Sequence, residues 1–216
     1  MIRQFLLVAC ALGFLTTTAA RAHSVWIEPT DENQLVIRFA EPSGNLEKSP
    51  GYLDSLSAPM AFVLVTNTPV SVDTVKKSDH FLLVGAAMTN TACAETSFTV
   101  RAGRKPLFYA RWQPSGAGEG KPMLTLDLVP TGKAGEVRLY FHGQPLGGIK
   151  ATLHTPNGDE KDVTADSEGF FHLTTTETGQ YLLTVAHQRE PLSGFHNGIA
   201  YTETSHNCSL VWEQSK

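Results

Sequence analysis

The sequence lacks most of the features that mark common functional classes. No apolar run reaches the roughly 20 residues a helix needs to cross a bilayer; the most apolar stretch, Phe5 to Leu15, has eleven. Cysteine is scarce. Only Cys10, Cys93 and Cys208 occur, and no C-x-x-C pair is present, which argues against thiol redox chemistry. Basic residues are outnumbered, 17 Lys and Arg against 21 Asp and Glu, and no basic stripe exists to track a nucleic acid backbone. The eight histidines contain no H-E-x-x-H spacing, so a zincin protease is excluded. There is no G-x-S-x-G elbow and no glycine loop opening a helix for phosphate. After residue 22 no stretch sustains a 3.6-residue apolar period, which removes the helical fold classes.

What is present begins with a leader. Arg3 supplies positive charge, FLLVACALGFL the apolar segment, and Ala20-Arg21-Ala22 an A-x-A cleavage site. The expectation is a signal peptide over residues 1–22, a mature chain that begins at His23, and a periplasmic location. Loss of Arg3 and Arg21 takes the formal charge from −4 to −6. No membrane span is expected after cleavage.

The remaining chain reads as short β-prone runs punctuated by Gly, Pro, Asn and Asp, the pattern of sandwiches and barrels. Ile149-Lys150-Ala151-Thr152-Leu153-His154 alternates with period two, Asn157-Gly158 is a tight-turn signal, and Gly179 to Val185 alternates again. Glu47 to Leu56 has room for one helical turn or a structured loop. A break at Pro130 to Gly135 divides the chain into two expected β-sandwich domains, residues 23–133 and 134–216. Two cysteines survive cleavage. In an oxidising compartment Cys93 and Cys208 read as one disulfide, the alternative being two separate buried thiols.

Two sets of motifs carry a resemblance. Gly143-Gln144-Pro145-Leu146-Gly147-Gly148, the T-A-D-S-E-G-F-F stretch from Thr164 and G-Q-Y-L-L-T-V from Gly179 resemble the carboxypeptidase-regulatory or transthyretin-like β-sandwich. Across most of the chain, Ala22-His23-Ser24-Val25-Trp26-Ile27-Glu28-Pro29, Arg38-Phe39-Ala40-Glu41-Pro42, Glu47-Lys48-Ser49-Pro50-Gly51 and Val185-Ala186-His187 resemble a periplasmic family of unknown function associated with nickel and cobalt uptake transporters. The resemblance implies a metal-binding accessory protein whose partner is an inner-membrane metal transporter.

The residues offer a chemistry consistent with that. A chain-terminal histidine provides a free α-amine and an imidazole that together chelate a divalent ion, and one further imidazole completes a site for copper, nickel or zinc. The candidate ligands are therefore His23, then His187, with His196 and His206 from the polar segment that follows it. Glu28 and Glu41 close the first two expected strands and supply oxygen ligands or orient a histidine; Glu47, beside Lys48, reads as an ordinary surface charge. The leading expectation is a non-enzymatic binder of nickel, cobalt or copper. The alternatives are a metal-free scaffold or interaction module, and a copper-dependent oxidase, which shares the terminal histidine on a β-sandwich but needs a flat aromatic surface not evident here.

Overall fold

The computed structural model describes residues 23–215; the expected signal peptide, residues 1–22, lies outside them. The protein is all-β, with one turn of 3-10 helix at Tyr52–Ser55, inside the stretch where a helical turn is expected. No helix among the described residues is long and apolar enough to cross a membrane.

Three sheets stack in layers. The first has the order β1 (Ser24–Pro29), β2 (Gln34–Ala40), β6 (Phe81–Ala87), β5 (Thr74–Lys76). The second is central and eight-stranded, in the order β13 (Glu160–Thr164), β12 (Lys150–His154), β15 (Gly179–Glu190), β18 (Glu203–Gln214), β8 (Arg104–Gln113), β7 (Ala92–Ser97), β3 (Met60–Val65), β4 (Thr68–Val72). The third runs β11 (Gln144–Pro145), β10 (Glu136–Phe141), β14 (Phe170–His172), with β9 (Leu126–Pro130) also paired to β10. A small hairpin of β16 (Gly194–His196) and β17 (Ile199–Tyr201) stands apart.

One pairing unites the two halves of the chain. Among the described residues all paired strands are antiparallel except β18 with β8, which run parallel from Glu203↔Arg104 to Trp212↔Gln113. The expected domain boundary falls in the loop of the β9–β10 hairpin, and strands from both sides of it share the central sheet. That sheet is covered on both faces, which explains the unusual burial of β18. Residues Thr204 to Val211 are all buried although several are polar, because a strand flanked by two layers exposes neither edge of its side-chain alternation. Ser209 and Val211 face the first sheet, where Ser209 Oγ donates to the Val25 carbonyl at 2.7 Å. Cys208 and Leu210 face the third, with Tyr109, Leu139 and Phe171.

The register corrects the expected disulfide. Cys93 on β7 is opposite Arg111, and Cys208 on β18 is opposite Tyr109, with all of β8 between them. Two interstrand steps of ~4.8 Å separate the backbones, beyond the ~7 Å limit for bridging without movement. Both thiols are free and buried, and burial pushes Cys93 up to about 12.

The second and third sheets are locked by an ion pair. Arg111 on β8 donates from Nε and Nη2 to the two oxygens of Asp127 on β9, at 3.0 and 2.6 Å, and both side chains are fully buried. Asp127 also accepts the backbone N–H groups of Met123 and Leu124 at 2.8 and 3.2 Å, and Arg111 Nη2 reaches the Lys121 carbonyl at 3.0 Å. Arg111→Met leaves the Asp127 carboxylate without its counter-charge and is expected to cost about 3–5 kcal/mol in denaturant unfolding, whereas Arg111→Met with Asp127→Leu should recover much of that loss.

Candidate functional site

His23 precedes β1 and is held on three sides. Its ring lies 5.1 Å from Phe39 and 5.2 Å from Tyr52, centroid to centroid. Its Nε2 is 2.6 Å from Glu47 Oε1. The Glu47 backbone N–H in turn donates to the Phe39 carbonyl at 3.0 Å, which pins this segment against the end of β2. Donation to a carboxylate requires the proton on Nε2, and in the neutral ring this leaves Nδ1 as the lone pair.

His187 is placed by a backbone irregularity. The pairing of β15 with β18 skips between Val185↔Cys208 and Gln188↔His206. His187 adopts φ +64, a left-handed conformation uncommon outside glycine. Such bulges re-aim a side chain and concentrate near functional sites. Asn207 clamps this one: its Oδ1 accepts the His187 N–H at 3.0 Å, while its Nδ2 donates to the carbonyls of Leu107 and Ser205 at 3.1 and 3.0 Å. The sequence places His187 at the start of a loop, but the strand continues to Glu190, and the bulge does the redirecting. Burial, then the charges of Arg104 and Arg189, hold the His187 imidazole below the usual histidine range. That shift favours the neutral form, the state in which imidazole ligates.

The two histidines line one pocket of about 280 Å³. Its walls are the rings of Phe39, Tyr52, Phe98 and Phe108, and Ser205 and Asn207 of β18 also line it. Two guanidinium groups complete it. Arg101 lies over the Tyr52 and Phe98 rings at 5.1 and 4.9 Å. Arg104 donates from Nε to Glu203 at 2.6 Å.

The other sequence candidates are not among the residues that line this pocket. Glu28 is engaged by Trp26 Nε1 at 2.6 Å and Arg38 Nε at 2.9 Å. Glu41 follows β2, and its carbonyl accepts the Gly44 N–H at 2.7 Å. The carboxylate on His23 is Glu47, which the adjacent Lys48 disguises in sequence. His196 lies on β16, where burial and then Lys105 lower its proton affinity.

His206 alternates with Ser205 and Asn207 and so faces the opposite side of the central sheet. There its Nδ1 meets the Tyr109 hydroxyl at 3.1 Å, and its Nε2 meets Thr204 Oγ1 at 3.0 Å and Glu190 Oε2 at 3.2 Å. Glu190 Oε1 reaches His142 Nε2 at 3.3 Å, which makes a chain from buried Tyr109 to exposed His142. Burial pushes Tyr109 up to about 12. Among the described residues no cluster of three or more His, Cys, Asp or Glu side chains is placed to hold a metal ion.

Comparison with known proteins adds no family. No protein-family model and no curated protein match the chain. A solved structure containing the FN1–FN3 domains of chicken CNTN1 aligns at 11% identity over 89% of this chain and 66% of that one, with a TM-score of 0.22, too low to carry any argument.

Burial lowers the proton affinity of His206 more than the neighbouring Glu190 raises it. Unfolded, the group titrates at its ordinary 6.5. Between the folded and unfolded values the unfolded chain binds the extra proton, so the stability His206 contributes is complete above 6.5 and is lost as pH falls from there through the lower folded value. Thermal unfolding should show that decline, and His206→Gln should flatten it. An NMR titration midpoint for the ring above 6.5 would contradict this assignment.

Proposed function

We propose that the mature protein is a periplasmic binder of a divalent transition ion that serves metal uptake. Nickel or cobalt is favoured by the family resemblance, and copper fits the same donors. The observation that carries the reading is the convergence of His23 and His187, the two foremost sequence candidates, on one pocket.

The donor set fits such an ion only if processing exposes His23 as the first residue. The described side chains alone supply too few ligands. The His23 α-amine and Nδ1 and the His187 imidazole would supply three nitrogens, a borderline-soft set suited to nickel, copper and cobalt. Glu47 on Nε2 would fix the ring and raise its basicity, as carboxylates do behind ligating histidines. Three donors leave coordination positions open, which suits a carrier that must release its ion, and the inner-membrane transporter is the proposed recipient. With no three-side-chain cluster among the described residues, a second reading is a metal-free interaction module built on the same sandwiches.

Calorimetric titration of nickel, cobalt and copper into protein sequenced from His23 separates the two readings. Binding should follow the order cobalt, nickel, copper in increasing strength. One glycine added before His23, or His187→Ala, should weaken it by on the order of 100-fold, and Glu47→Gln by about 10–100-fold. Equal affinity in all these variants removes the His23–His187 site, and no binding in the parent removes the metal reading.

A further inference from the structure

We infer that the ion enters this pocket as the complex of a small organic polycarboxylate, and that Arg101 and Arg104 bind the carboxylates. This rests on the metal-binding reading above and names the form of its cargo.

Three features of the pocket point beyond a hydrated ion. Charge is the first. No Asp or Glu lines the pocket, whereas two arginines do. Among the described residues Arg101 forms no ion pair within 4.0 Å, and its partners are the two aromatic rings. Glu203 answers Arg104 at 2.6 Å but is shared with Arg189 at 3.8 Å, so this trio retains positive charge. Glu47 alone opposes these cations from the His23 side. A bare dication would add two further positive charges to an already cationic recess. A polycarboxylate complex reverses the sign of the cargo and turns both guanidinium groups into partners.

The second feature is the wall. Phe39, Tyr52, Phe98 and Phe108 give no ligand to a hydrated cation, but they offer apolar surface to the carbon skeleton of an organic ligand. Tyr52 and Phe98 also approach the exposed Arg101 guanidinium at 5.1 and 4.9 Å, cation–π contacts that restrain where its planar fork of donors lies. The third is size. About 280 Å³ approaches the lower end of small-molecule sites, ~300 Å³. A single water, by comparison, takes ~30 Å³ in the liquid. The histidines and the arginines line the same recess, so one ligand can be held by its metal on one side and by its free carboxylates on the other.

Citrate is the probe. Protein sequenced from His23 is titrated calorimetrically with nickel chloride, with nickel premixed with one equivalent of citrate, and with citrate alone, and bound citrate is counted by equilibrium dialysis of the labelled compound. The expected result is a ternary complex with one citrate per nickel, bound at least about tenfold more tightly than nickel alone. In Arg101→Gln the ratio of the two affinities should fall to about one. If citrate instead weakens apparent nickel binding, it is acting as a competing chelator. The inference is then overturned, while the metal reading stands. Citrate alone binding as tightly as its nickel complex also overturns the inference, by showing a plain organic-anion site. No heat with nickel in either form, from protein whose first residue is confirmed as His23, removes the metal reading and the inference together.

Discussion

The parallel ladder between β8 and β18 is the constraint on which the rest of the structure depends. It is a long-range pairing, Arg104 to Gln113 with Glu203 to Trp212, and it makes one eight-stranded sheet from the two halves of the chain. Without it the protein would be two small sandwiches in tandem. With it, the Cys93 and Cys208 backbones are kept two strands apart, and the alternation of β18 delivers Ser205 and Asn207 to one layer and His206 to the other. The pocket therefore lies where the halves meet, with Phe39, Phe98 and Phe108 from the first and His187, Ser205 and Asn207 from the second.

Within that frame the site is built by local devices that act on single residues. Asn207 spends its side chain on the backbone of the bulge and of β8, so the left-handed conformation of His187 is tied to the same ladder. Glu47 meets Nε2 of His23 from across the end of β2. Both histidines then line the same aromatic recess. Arginines at the rim then set the charge that an occupant must carry. On the other face of the sheet His206 pairs through Glu190 with His142 of the turn after β10, but there Glu190 and Tyr109 already meet ring nitrogens.

The fold class was legible because strand alternation and turn residues are local signals. Ala151 and Leu153 face inward on β12 as the period of two requires, and Asn157-Gly158 turns the chain into β13. The parallel pairing was not legible, since nothing in either strand names its partner. The disulfide expectation failed for that reason: an even count of cysteines is a parity argument, and the intervening β8 is a fact of topology. In the site, His23 and His187 could be found from the cleavage motif and from the histidine after an apolar strand. Glu47 was obscured by Lys48, and Arg101 and Arg104 carried no motif at all. His206 sits one residue from two residues that line the pocket yet points away from it, a distinction that needs the register of β18.

The account's central claim is that His23 and His187 hold one ion together. Paramagnetic nickel added to isotopically labelled protein that begins at His23 tests it most directly, because the ion broadens the NMR signals of whatever surrounds it. The account predicts broadening centred on His23, His187 and Asn207, with the His142–Glu190–His206 chain on the far face of the sheet affected least. Broadening centred on that chain instead, or none anywhere in the spectrum, would contradict it.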